Sequence, residues 1–296
     1  MASSGDWGAE TEEFSEMKIF RLLTMLLLGI MLNVNLTSCS KEDNLPEKKD
    51  DTVEHPNGIP SNIPNNIIYY ITSDDIIVRF ENEDVFGGAK IVSNTYSTTK
   101  GYGTIEFASE VTAIEREAFG GKRTLRYITL PRSATSIGTG AFADCSGLTS
   151  VTIPNGVKSI GKEAFAECYA LKSVTIGNSV KSIGDEAFFG CYHLTTVTIP
   201  NGVESIGKST FNQCSSLSSV TIGSGVRSIG NYAFSNCSEL LDVYCYAKSV
   251  PSTENNAFYS TNTIFATLHV PAASVEYYKS KKPWSSFGSI VAITKN

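Results

Sequence analysis

The chain has no run of apolar residues long enough to cross a membrane, no cluster of histidines, no paired cysteines and no block of positive charge. Its most apolar stretch, Leu22 to Leu32, falls short of the roughly 20 residues that span a bilayer. Lys and Arg number 24 against 30 Asp and Glu, a formal charge of −6. No Lys/Arg run gathers in one place, so nucleic-acid binding has no electrostatic footing. The three histidines, His55, His193 and His269, stand apart, and none neighbours a Ser or Cys as a base neighbours its nucleophile. A Cys-x-x-Cys pair and a Gly-rich phosphate loop are also missing. These absences predict a protein that is not an enzyme, with no metal, no cofactor and no nucleic-acid partner.

What the chain does have is a period. Phenylalanine stands at 119, 142, 165, 188, 211 and 234, each 23 residues after the last. The segments 142–153 (FADCSGLTSVTI), 165–176 (FAECYALKSVTI) and 188–199 (FFGCYHLTTVTI) are nearly the same text. A fixed period in the twenties marks a stacked solenoid, in which each coil covers its neighbour's core. Such arrays grow by adding coils, so the 296 residues say little about domain number.

One coil, 142–164, carries its own instructions. Leu148, Val151 and Ile153 give L-x-x-V-x-I, the strand pattern of leucine-rich repeats. Alternation along a strand turns Val151 and Ile153 inward and Ser150 and Thr152 outward. Pro154-Asn155-Gly156 turns the chain, and Val157 and Ile160 return along a second short wall. Lys162–Glu167 reads as about one helical turn, with Ala164 and Phe165 inserted into the core. Thr210 stands where other coils have Ala and predicts a locally weaker coil.

Five of the seven cysteines, Cys145, Cys168, Cys191, Cys214 and Cys237, recur with the same period. They predict an inward ladder of reduced thiols packed as small hydrophobes. Parallel side chains on successive coils suit the dihedral of a disulfide poorly. Cys245 falls where other coils carry Ile, which leaves Cys39 as the chemically special one.

Met17 opens a stretch with Lys18 and Arg21, the short apolar run, and small residues before Cys39. That is the order of a secretory signal, and Leu36-Thr37-Ser38-Cys39 resembles a bacterial lipobox, which implies a lipidated Cys39. Residues 1–16 carry five acids and no base, the wrong charge ahead of a signal, and read as a mis-assigned or added leader. Ser40-Lys41-Glu42-Asp43 is similar to the signal that sends Bacteroidetes lipoproteins to the outer face of the outer membrane. Asp51-Thr52-Val53 resembles the short O-glycosylation motif of the same bacteria. The polar, Pro-punctuated stretch that follows Cys39 buries too little to fold alone and suits a tether. The organisation expected is a leader (1–16), a signal peptide (17–38), a disordered tether (39–66), an N-terminal cap (67–103), the solenoid (104–271) and a C-terminal cap (272–296).

The unit V-x-x-I-G-x-x-A-F-x-x-C-x-x-L-x-x-V-x-I-P over residues 111–245 resembles the Treponema-type leucine-rich repeat of BspA-like surface proteins. The resemblance implies a right-handed curved solenoid with a parallel β-sheet on its concave face, short strands and helical turns elsewhere, and a role in attachment to host matrix or other cells. Both ends depart from the repeat, as caps must. Lys122 and Thr261 replace Cys, and Ile105-Glu106-Phe107 aligns 23 residues before Ile128-Thr129-Leu130 as the first rung. Ile67–Thr72 and Ile76–Phe80 read as a capping hairpin around Ser73-Asp74-Asp75. At the far end Tyr277, Tyr278, Trp284 and Phe287 are expected to fold over the last coil.

The candidate binding face is the row of outward strand positions: Tyr127, Thr129, Ser150, Thr152, Ser173, Thr175, Thr196, Thr198, Ser219, Thr221, Asp242 and Tyr244. Exposed Thr also stabilises a sheet for its own sake. A broad, pre-ordered solenoid face is nonetheless the usual binding side of such arrays. The expected partner is a protein or glycan at a host or bacterial surface. The alternative is a structural or assembly role inside the cell envelope.

Overall fold

The structure is a computed structural model and describes residues 55–82 and 84–294. Signal, lipobox and most of the tether therefore lie outside the described residues, as do residues 1–16.

Three strands come first: β1 (Ile67–Thr72), β2 (Ile91–Ser97) and β3 (Tyr102–Phe107). From there each coil contributes a two-residue strand and a longer one. The short strands are β4 (Ala113–Ile114), β6 (Ser136–Ile137), β8 (Ser159–Ile160), β10 (Ser182–Ile183), β12 (Ser205–Ile206), β14 (Ser228–Ile229) and β16 (Ser252–Thr253). The longer ones are β5 (Leu125–Ile128), β7 (Ser150–Thr152), β9 (Ser173–Thr175), β11 (Thr196–Ile199), β13 (Ser219–Ile222), β15 (Asp242–Cys245), β17 (Thr267–Val270) and β18 (Ser289–Ala292). The short strands form one parallel sheet of seven, and β7, β9, β11, β13, β15, β17 and β18 form another. Registers step by one period, Val197 beside Val220 and Ile183 beside Ile206. The predicted repeat solenoid with parallel sheets is the fold.

Each coil sends the same side chains inward. Leu148, Val151, Ile153, Val157, Ile160, Ala164, Phe165 and Cys168 are all buried. The phenyl rings of Phe119, Phe142, Phe165, Phe188, Phe211, Phe234 and Phe258 stack at centroid spacings from 5.0 to 5.5 Å. That spacing follows the strand separation of about 4.8 Å, because the backbone carries each ring. The thiol column lies beside it, free and buried. Each thiol donates to a carbonyl of the previous coil, Cys145 to Phe119 at 3.0 Å and Cys191 to Phe165 at 3.3 Å. Thr261, in the Cys position of the last coil, donates to the Phe234 carbonyl at 2.7 Å and so does the same job. Gly161 and Gly184 sit where a β-carbon would come within 2.7 Å of the preceding coil's backbone.

The third wall is not the helical turn expected over Lys162–Glu167. The amides of Glu163, Phe165 and Glu167 donate to the carbonyls of Asp185, Ala187 and Phe189 in the next coil. The alternate amides bond locally, Ala166 to the Glu163 carbonyl and Cys168 to that of Phe165. Sending every second amide forward forbids a helix, and Glu163 and Glu167 take φ of 56° and 59° to do it. Thr210 is also corrected: it is buried, but its hydroxyl donates to the carbonyls of Gly207 and Gly184. A satisfied hydroxyl gives no reason for a weak coil.

The N-terminal end differs from expectation. β3 is not the first rung of the ladder, because β1 inserts antiparallel between β3 and β5, giving the order β2-β3-β1-β5. Ile76–Phe80 forms no strand; Val78 is buried there, and Phe80 packs edge-on against Phe119 at 5.4 Å. Tyr70 is wholly buried, donates to Asn94 Oδ1 at 2.8 Å, and lies over Gly103, where any β-carbon would overlap its ring. Residues 55–66, grouped with the tether by composition, pack against the domain: Ile59 is buried, and the carbonyls of Asn66 and Asn65 accept from the amides of Phe107 and Val111. At the other end a helix, α1 (Val275–Lys279), delivers Tyr278, and Trp284 and Phe287 close the stack edge-on against Phe258. Tyr277 is 66% exposed and takes no part in that closure. The tail then adds β18 as a further parallel rung.

Candidate functional site

On the longer-strand sheet the outward residues form two rows in register. One runs Ser150, Ser173, Thr196, Ser219, Asp242 and Thr267; the other runs Thr152, Thr175, Thr198, Thr221, Tyr244 and His269. Ser173, Thr175, Thr196 and Thr198 are exposed, while Ser150, Thr152, Ser219, Thr221, Asp242 and Tyr244 are half-buried. The hydroxyls of Ser150 through Thr221 in these rows make no hydrogen bond to any described residue. A rigid ladder thus holds short donors and acceptors a fixed distance apart with nothing to satisfy them but solvent or ligand.

Two of the positions assigned to this face from sequence behave otherwise. Thr129 is 3% exposed, and its hydroxyl is tied to the amide and carbonyl of Tyr69 on β1. It is tied into the cap, and its hydroxyl is committed there. Tyr127 is half-buried, with its hydroxyl against His55 Nδ1, and burial pushes its pKa up to about 12. The inserted β1 accounts for both, since it occupies the side of β5 where a preceding coil was expected.

At the opposite end the structure gathers a cluster that sequence reasoning only half assembled. His269 Nε2 lies 3.0 Å from Asp242 Oδ1, and the imidazole stacks on Tyr244 at 4.2 Å and 10°. Burial, then the Asp242 carboxylate, hold the Tyr244 hydroxyl above its ordinary pKa. Leu268-His269-Val270 repeats the strand pattern once more, and alternation turns His269 outward. A spacing of 25 rather than 23 residues from Tyr244 hid the fact that the two share a row.

Two clefts open where the cap meets the ladder. One is lined by Tyr127, Arg126, Thr149 and Ser150, the other by Tyr127, Arg132, Thr152 and Pro154, and His55 stands in both walls. No group of three or more His, Cys, Asp or Glu among the described residues has a metal-holding arrangement.

Comparison with known proteins agrees with this architecture. No curated protein sequence matches significantly. Among solved structures, a Treponema pallidum leucine rich repeat protein is 33% identical over 39% of this chain and 53% of its own, with a TM-score of 0.37. The chain therefore spans about half of that relative's length. The pneumococcal vaccine antigen PcpA is 22% identical over 57% of this chain and 41% of its own, at a TM-score of 0.45. A leucine-rich repeat protein from Bacteroides ovatus is 18% identical over 88% of this chain and 77% of its own, at 0.36. Residues 89–191 and 158–280 match the BspA type leucine rich repeat region, and with more than half of its length so matched, the chain belongs to that family.

Proposed function

We propose that this protein is an outer-surface lipoprotein, anchored by lipid at Cys39, that binds a macromolecular partner through its hydroxyl-lined face. The partner is a host matrix protein, a glycan or another cell surface. The observation that carries the reading is the pair of in-register Ser/Thr rows, exposed at Ser173, Thr175, Thr196 and Thr198 and half-buried elsewhere, whose hydroxyls have no partners of their own. A pre-ordered surface binds without the entropic cost of arranging itself first. The signal-like segment before Cys39 and the acidic stretch after it support display outside the cell. The family supports a protein-binding solenoid, and the named partner and location are ours.

The full chain, with Thr152, Thr175 and Thr198 all changed to Glu, should lose binding to immobilised matrix proteins or glycans that the parent captures. Equal binding by parent and variant would exclude this face. Protease treatment of intact cells tests the display: removal of the domain supports it, and survival would favour a role inside the envelope.

A further inference from the structure

We propose that the paired cleft around Tyr127 is a subsite for a carboxylate of an acidic glycan, which rests on the reading of this face as a binding surface and names its ligand chemistry. The cleft exists because the strand order breaks there. β5 is the last strand of the antiparallel cap sheet and β7 the first of the parallel sheet, so the two are not laddered together. A bond from the Thr149 amide to the Arg126 carbonyl, 3.0 Å, links the two coils at this point. The seam is walled by the 55–63 segment, whose His55 meets the Tyr127 hydroxyl and divides the opening in two.

The charges are what select a ligand. Arg126 lines one half and Arg132 the other, and no Asp or Glu lines either. Arg126 is exposed, and its Nη1 donates to the Gly147 carbonyl at 3.3 Å, which leaves its other donors open. Arg132 is exposed and makes no ion pair with any described residue. Lys172 continues the Arg126 column, joined through the amide of Lys172 to the carbonyl of Thr149, so a second cation follows about 10 Å along the stack. This is a local cationic stretch on a chain of formal charge −6. Burial keeps Tyr127 un-ionised, with its pKa near 12, and lowers that of His55, so the floor between the arginines brings no charge of its own.

A planar guanidinium holds a carboxylate by two parallel charge-assisted hydrogen bonds, whereas a neutral sugar offers acceptors without the charge. The neighbouring residues favour a glycan over an acidic peptide. Between Tyr127 and Asp242 one large hydrophobic side chain is exposed, Tyr192, and it lies in the corner before β11, stacked on Tyr169. Outside the cleft, whose own walls include Ile63, Ile128 and Leu130, a bound peptide would meet little apolar surface for its side chains, whereas a polyhydroxylated chain finds Ser150, Thr152, Ser173 and Thr175.

Calorimetric titration of the full chain with a galacturonic acid oligomer, a neutral galactose oligomer and polyglutamate tests this. The uronate should bind more tightly than both others, and its affinity should fall as salt rises. Arg126→Gln with Arg132→Gln should weaken it by about tenfold or more, while Arg126→Lys with Arg132→Lys should retain a larger share. Melting curves of both variants that match the parent establish that the fold is intact. Uronate binding unchanged in the Gln pair, or polyglutamate binding as tightly as uronate, would overturn the proposal. No uronate binding at all would also overturn it, yet leave the hydroxyl face standing if the Thr152/Thr175/Thr198 variant still loses its matrix partner.

Discussion

Between Phe119 and Phe258 successive rings lie within 12° of parallel, whereas the rings that meet them at either end stand at 65° to 85°. Isolated aromatic pairs favour edge-on or offset contacts because the ring face is negative and the edge positive. The ends take the edge-on form; the middle is held parallel. In the repeat the backbone ladder sets each ring's orientation, so Phe165 cannot turn without turning its coil. At the ends the partners come from unrelated segments: Phe80 and Phe86 precede the solenoid, and Trp284 and Phe287 follow it. They approach freely and settle edge-on. A cap therefore needs the right residue type more than the right repeat position, which is why both caps escape the 23-residue pattern.

Alkaline pH should separate the two regions most strongly. Burial raises all five ladder thiols: Cys145 and Cys237 are pushed up to about 12 from 9.0, and Cys168, Cys191 and Cys214 rise well above it. A raised pKa on an acidic group favours the folded state while the group is protonated in both states. That contribution is whole below pH 9 and is lost as pH rises from 9 towards the folded value. The segment from β1 to β3 at the N-terminal end holds no Cys, and its buried Tyr70, pushed to about 12 from 10.0, starts to lose stability only above pH 10. Hydrogen exchange across this range should show coils 142–240 opening before the cap. Melting temperatures that stay level from pH 9 to 11 would contradict the ladder.

Truncating a ring comes next. Phe165→Ala in the middle and Trp284→Ala at the end should each cost about 3–5 kcal/mol of packing. Their spread should differ. Phe165 is gripped by coils on both sides, so its loss lowers the whole denaturation midpoint. Trp284 contacts the last coil, through Phe258 and a hydrogen bond to Thr253 Oγ1 at 3.2 Å. Its loss should fray β17 and β18 first, because stability in such arrays is summed over neighbours. Amide exchange that rises equally along the chain in both variants would show that the end is no separate unit.

Tyr70→Phe is a smaller probe, of the cap alone. It removes the donor to half-buried Asn94 Oδ1 and the acceptor for the buried Val78 amide, at about 1–3 kcal/mol. A denaturant midpoint within error of the parent would mean water replaces the hydroxyl.

Much of this was legible in the residues. The period, the inward alternation and the buried thiols follow from repeating one pattern, since each coil meets the same neighbours. Three things were not. The pairing of β1 between β3 and β5 joins segments about 60 residues apart, and antiparallel pairing at that distance leaves no local signature. Thr129 was misplaced for the same reason. His269 fell out of its row because irregular spacing near the end broke the count. The turn wall was misread because Glu is a good helix former and a poor left-handed residue, and here the coil-to-coil hydrogen bonds outweigh both preferences.

That turn wall gives the finest comparison. The column 117, 140, 163, 186, 209 and 232 is left-handed throughout, with φ from 53° to 61°, yet only position 140 is Gly. A side chain in this region costs about 1–2 kcal/mol, while Gly gives back about 0.5–1 kcal/mol in unfolded-state freedom. Glu163→Gly should therefore be neutral or stabilising by less than about 1 kcal/mol, although it also removes the Glu163 carboxylate, 3.0 Å from Lys162 Nζ and exposed enough to matter little. Gly140→Ala should move stability the other way by about 1 kcal/mol, since its new β-carbon meets the Glu117 side chain at 3.3 Å as well as the unfavourable φ. Opposite signs at two positions one period apart are what a shared left-handed conformation requires. Two losses of equal size would mean that Glu163 owes its place to contacts other than the turn.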